Sequence, residues 1–245
     1  MRIGTDTVRR GALGLALLLA TAATLCRADA ASPPATPPTF VAKYSVAWHG
    51  ITAGTSTLTL AETSPGQYRY TSEDHASGLF KLFIRRAIQQ ESRFRVTNGE
   101  VQPLSFRAEG NGPTEEVTFD WTSGRVTGTA KGKPLDLKLE PGTQDPGSVQ
   151  IALMLVFLEG HPPSSFWMLN TDVINRFEFE PKGKATLDTP LGQVATLLYA
   201  SHHAGARRTT YMWLAPSLDY LPARLEQRRG NDVLFALNIL AYRKQ

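Results

Sequence analysis

The sequence predicts a mainly β protein, a curved antiparallel sheet (an open or incomplete β-barrel) packed around one buried α-helix. Three observations predict it. Apolar and polar residues alternate with period two along most of the chain. Gly, Pro and Asn pairs punctuate these runs at short intervals, as hairpin turns do. One unbroken apolar run, Ile151 to Leu158, interrupts the pattern in mid-chain.

The N-terminus reads as an export signal. Arg2, Arg9 and Arg10 are followed by an uncharged apolar stretch from Gly11 to Leu25, and Ala28-Asp29-Ala30 puts small residues at the two positions a signal peptidase reads. Cleavage before Ala31 is expected, because an apolar stretch of about 15 residues is short for a permanent bilayer span. Arg9-Arg10 lacks the Phe-Leu of a twin-arginine signal, and both export routes stay open. Cys26, the sole cysteine, follows Leu25 rather than the small residue of a lipobox and leaves with the leader. The mature chain then has neither thiol nor disulfide. Of the net charge of +4, the leader contributes +2 and leaves +2, too near balance for a general nucleic-acid binder. Residues 1–30 are thus the signal peptide, 31–39 a Pro-rich tether, and 40–245 a single β-rich domain expected in the periplasm.

The strands follow in order. Tyr44, Val46 and Trp48 alternate with polar or small residues, as do Ser56, Leu58 and Leu60. Tyr68 and Tyr70 follow a Pro65-Gly66 turn, and Phe94 and Val96 lead to Asn98-Gly99. Val117, Phe119 and Trp121 precede Ser123-Gly124. Leu135, Leu137 and Leu139 precede Pro141-Gly142. Asp145 as cap, Pro146 at the first position and Gly160 as terminator frame a helix over the apolar run. Apolar all round, it must be buried all round. Strands resume with Phe177 and Phe179, then Val194 and Thr196, then Tyr211 and Trp213, and finally Leu225 and Val233 to Leu240.

No catalytic motif accompanies this pattern. There is no G-x-S-x-G, no H-E-x-x-H, no complete phosphate loop and no dinucleotide fingerprint. Adjacent His202 and His203 diverge on a strand, as do the Glu73-Asp74 and Glu115-Glu116 pairs. Hence no metal, cofactor or catalytic residue is predicted. Carboxylates meeting from different strands leave a glycan hydrolase open as an alternative. Gly78 to Arg86 sets large apolar residues beside Lys81, Arg85 and Arg86 where the β pattern lapses. It reads either as a helical cover over one end of the sheet or as a loop touching a lipid surface, with Arg85 and Arg86 as anion contacts. Arg224 and Glu226, after the strand-starting Pro222, fall on one face and are placed to pair.

Phe40-x-Ala42-x-Tyr44-x-Val46, Gly50-Ile51-x-x-Gly54 with Leu58-x-Leu60, Asp145-Pro146-x-Ser148, and the Trp213–Arg224 stretch ending Leu-Pro-Ala-Arg together resemble the exported bacterial family known as domain of unknown function 3108. The resemblance runs from Phe40 to Tyr242. It implies a secreted or periplasmic all-β domain and supplies no catalytic residues. Gly50 and Gly54 would bracket a tight reversal in it.

A curved sheet around an apolar helix also resembles the unclosed barrels of envelope lipoprotein carriers, an analogy of fold only. It implies a non-enzymatic binding protein for an apolar or lipid-like ligand. The groove would be lined by Trp48, Phe119, Trp121, Phe157 and Trp213, with Phe80 and Phe83 at its mouth. A structural or assembly partner of envelope proteins, with a solid interior, is the alternative.

Overall fold

The computed structural model describes residues 35–82, 86–110 and 112–245. The expected leader, part of the Pro-rich tether, Phe83 and Arg85 lie outside these described residues. Eight strands come first: β1 (Phe40–Trp48), β2 (Ile51–Ser64), β3 (Gln67–Ala76), β4 (Ile88–Thr97), β5 (Glu100–Glu109), β6 (Glu115–Asp120), β7 (Arg125–Ala130) and β8 (Lys133–Lys138). The helix α1 (Ser148–Leu158) follows. Six more strands complete the chain: β9 (Ser165–Asn170), β10 (Val173–Thr189), β11 (Gly192–His203), β12 (Thr209–Ala215), β13 (Leu221–Arg229) and β14 (Asp232–Lys244).

The fourteen strands of the described residues form one antiparallel sheet, ordered β8-β7-β6-β5-β4-β3-β2-β1-β14-β13-β12-β11-β10-β9. Two meanders, one on each side of α1 in sequence, are fused where the last strand pairs with the first; Tyr44 faces Ile239 in that pairing. Edge strands β8 and β9 do not pair with each other, so the barrel stays open. Gln144 spans part of the gap. Its backbone exchanges hydrogen bonds with Trp167 and Leu169 on β9, and its Nε2 donates to Val101 O on β5 at 2.9 Å.

Bulges at Lys43/Tyr44, Val46/Ala47, Arg93/Phe94 and Trp213/Leu214 bend the sheet, because an extra residue on one strand kinks the ladder and increases its twist. The β1–β2 turn is His49-Gly50, both with positive φ (47° and 79°), which suits a two-residue hairpin loop. Gly54 serves a different purpose. A Cβ there would lie 2.1 Å from His75 O, so only glycine lets β2 approach β3 this closely.

Helix α1 lies in the concavity. Ile151, Met154 and Leu155 are fully buried against Phe40, Leu60, Phe94 and Leu221 of the main core. Leu153 and Phe157 pack on a second cluster with Phe179, Tyr199, Met212 and Leu214. The helix begins two residues later than the Asp145 cap suggests, at Ser148, with Gly147 in the cap position. Asp145 caps the turn before it, its Oδ1 accepting from Gly147 N at 2.7 Å and Ser148 N at 2.9 Å. The end is as expected: Gly160 N donates to Phe157 O and His161 N to Val156 O, a Schellman closure.

Candidate functional site

Core packing leaves the concave face partly hollow. An inner chamber of about 310 Å³ adjoins an outer one of about 390 Å³, and Asp74 and Phe235 line both. Val149, Gln150 and Leu153 of α1 form one wall of the inner chamber. Tyr44, Leu58 and Tyr70 form a second, and Phe166, Phe177, Phe179 and Met212 a third. Through this apolar lining runs a polar strip that includes Ser56, Ser72, Asp74, Gln90 and Gln150.

Strand register assembles that strip. Ser56 pairs with Asp74 and Leu58 with Ser72 across β2 and β3, so the three polar side chains share a neighbourhood on one face. Ser72 Oγ donates to Asp74 Oδ1 at 3.3 Å. Burial raises the Asp74 carboxyl above its ordinary range, while hydrogen bonds from Ser56 and Ser72 and the nearby His75 pull it back down. The Tyr44 and Tyr70 phenols are also raised by burial and stay protonated. Tyr44 Oη donates to Pro222 O at 2.9 Å. Gln150 Nε2 is shielded from solvent and has no hydrogen-bond partner among the described residues. An orphaned donor of this kind costs about 1–3 kcal/mol until an acceptor reaches it.

The outer chamber is more apolar. Val46, Trp48, Ala53, Phe80 and Ile88 line it, with His75 at its polar side. Its walls belong to the β1–β2 hairpin and to a short 3₁₀ turn, Gly78–Leu82, that follows β3. Ser77 N donates to Ala53 O at 2.8 Å and holds the two segments side by side.

Of the residues expected to line a groove, Trp48 and Phe80 line the outer chamber. Phe119, Trp121, Phe157 and Trp213 do not line either one. Phe119 is buried in the β5–β8 cluster, stacked on Trp121, whose Nε1 donates to Pro103 O at 2.6 Å. Phe157 is wedged between Tyr199 and Tyr220. Trp213 is covered by the guanidinium groups of Arg224 and Arg228. Its neighbour Met212 faces the inner chamber, so alternation turns Trp213 to the other face. These four aromatics sit where packing, not a void, meets them. Arg86 is exposed, two residues before Ile88 of the outer chamber's lining, and Phe83 and Arg85 lie outside the described residues. Sequence reasoning missed Asp74, Ser72, Ser56 and Gln150. A signal was present, since Tyr68, Tyr70, Ser72 and Asp74 keep one strand phase while changing from aromatic to polar.

An open antiparallel barrel with a hollow interior is the class that fold and site define. The chain belongs to the DUF3108 family, described as proteins of unknown function, whose sequence model matches residues 43–235. No curated protein sequence matches it. Among solved structures, the chain is similar to a β-barrel-like protein of domain of unknown function DUF1849 from Brucella abortus. That match has a TM-score of 0.53 and 10% identity, covering 86% of this chain and 99% of the other. At that identity the likeness concerns the fold alone. MucB matches with a TM-score of 0.36 and 10% identity over 84% of this chain and 53% of its own. A DUF1329 family protein from Desulfovibrio piger matches with a TM-score of 0.24 and 10% identity, over 86% and 87%.

Proposed function

We propose that this chain is an exported periplasmic protein without catalytic activity that binds an amphiphilic, lipid-like molecule of the cell envelope. The observation that carries the reading is the pair of chambers meeting at Asp74 and Phe235 inside the sheet. Each is within the ~300–1,000 Å³ range of small-molecule sites, and mostly apolar walls with a few convergent polar groups are what such sites present. An apolar chain suits the Trp48–Phe80 side. A hydrogen-bonding head suits the strip where Gln150 Nε2 offers an unused donor and Asp74 an acceptor. The hollow speaks against an assembly partner with a solid interior. Asp74 is the single carboxylate lining either chamber among the described residues, whereas a glycan hydrolase needs two that face each other.

The test is to express the full-length gene in a bacterial host, recover the protein from the periplasm without detergent, and extract it for mass spectrometry. The expected result is a chain beginning at Ala31 that carries a defined lipid-like molecule in near-stoichiometric amount. Phe80→Asp and Thr210→Phe, placed on the outer and inner chambers, should each abolish its retention without changing the circular dichroism spectrum. A protein that arrives empty and also fails to take up cis-parinaric acid sinks the proposal.

A further inference from the structure

Trp48, Ile51, Leu79 and Leu82 are 48%, 64%, 77% and 69% exposed, half of the eight large hydrophobic side chains that the described residues leave in solvent. All four lie on the β1–β2 hairpin or the adjoining 3₁₀ turn. Trp48 and Phe80 from the same two segments line the outer chamber, so the patch is carried by segments that also wall that chamber. Singly scattered apolar residues are ordinary, but a cluster on the walls of a cavity is not.

The two segments that carry the patch hold charge of one sign, although Asp74 of β3 also lines the outer chamber. Neither Tyr44 through Leu60 nor His75 through Gln90 contains an acidic residue, while Lys81, Arg85 and Arg86 fall in the second stretch. Several surface cations elsewhere on the sheet are paired, as with Arg93–Glu91, Arg107–Glu109, Arg125–Asp136 and Lys131–Asp172. No ion pair among the described residues includes Lys81 or Arg86. Exposed apolar side chains flanked by unpaired cations suit the boundary between lipid headgroups and acyl chains, where the cations meet phosphates. A second copy of the chain suits it less, because a two-fold contact would bring the same cations against each other.

We propose that this patch docks the protein on a bilayer surface carrying anionic lipid, with Trp48, Ile51, Leu79 and Leu82 inserted and Lys81 and Arg86 against lipid phosphates. The segments that wall the outer chamber then face the membrane. This goes beyond the ligand reading and does not depend on it, since neither Leu79 nor Leu82 lines a chamber.

The experiment is co-sedimentation of the periplasm-recovered protein with phosphatidylcholine vesicles, with and without phosphatidylglycerol, at low and high salt. The expected result is binding that strengthens with phosphatidylglycerol and weakens with salt. Lys81→Glu with Arg86→Glu should lower affinity for the anionic vesicles by at least about 25-fold, at roughly fivefold per lost cation. Leu79→Ser with Leu82→Ser should lower it by at least about tenfold on either vesicle. A vesicle-induced blue shift in tryptophan emission should disappear in Trp48→Phe. The Leu79→Ser/Leu82→Ser protein should still take up cis-parinaric acid as the unmodified protein does, so loss of docking and loss of ligand binding are separate readouts. The proposal is overturned if the unmodified protein stays in the supernatant with anionic vesicles at low salt, or if the double serine variant sediments equally well. It is also overturned if light scattering shows a dimer that the same variant dissolves while no vesicle binding is seen.

Discussion

Asp145 is fully buried, and its carboxylate accepts from Ser92 Oγ at 2.6 Å as well as from the Gly147 and Ser148 amides. Burial pushes its pKa up to about 6, overcoming donors that pull the other way. A carboxyl that binds its proton more tightly folded than unfolded adds stability in full below its unfolded pKa of about 3.9, and loses that contribution as pH rises through about 6. The swing is about 3 kcal/mol. Asp145→Asn keeps an acceptor for the two amides and does not titrate. In urea unfolding, the stability of the natural protein relative to this variant should therefore fall between about pH 4 and pH 6. A difference independent of pH would refute the assignment.

Glu226 poses the opposite problem, since it is fully buried yet held between Arg224 and Arg228, whose side chains are 41% and 32% exposed. Arg228 also lies 4.7 Å from the Tyr211 ring centroid. Replacing both arginines by Met strands a buried charge and should cost about 3–5 kcal/mol. Glu226→Gln should cost only about 1–2 kcal/mol, because the arginines can turn to water. Equal losses in denaturant unfolding would show that the pairing does not carry the stability. The Arg224–Glu226 pairing was legible from strand spacing. The second arginine and the complete burial were not, because both depend on what β12 lays beneath them.

At the scale of the element, α1 shows how far an apolar run can be read. Its end and its need for burial follow from the sequence. Which side meets core and which meets a void does not, because Leu153, which borders the inner chamber, and Leu155, which does not, look alike in a run apolar all round. Leu155 is fully buried in the main core, and Leu155→Ala should cost about 2–5 kcal/mol. Val149 borders the inner chamber, so Val149→Ala removes little packing and should cost about 1 kcal/mol or less. Comparable losses in thermal or urea unfolding would mean that the chamber is filled by packing. The start of α1 was misplaced for a related reason. Asp145-Pro146 satisfies local start rules, but its side chain serves the turn that carries the chain from the sheet into the helix.

Across the whole molecule, turns such as Asn98-Gly99 and His49-Gly50 set neighbouring strands side by side, and each meander follows from local pairing. Joining β1 to β14 is a pairing across almost the full chain, without local signature, and it decides which residues surround α1. The site divides in the same way. Gly78 to Leu82 stood out as a lapse in the β pattern, and Trp48 and Phe80 fall on one chamber. Phe119, Phe157 and Trp213 were grouped with them because an aromatic on an apolar face reads the same whether it meets another side chain or a hollow.

Local sequence suffices for the β class, the helix and its burial, the strand-by-strand alternation and the cationic, acid-free stretch around Lys81. These are properties of neighbours along the chain, governed by period, turn chemistry and composition. Tertiary packing alone settles that the sheet stays open at β8 and β9, that Ser56, Ser72, Asp74 and Gln150 line one chamber, and that Trp48 and Phe80 line another. Those juxtapositions depend on bulges, register and the return of β14 to β1, which bring together residues too far apart in sequence for any local pattern to record.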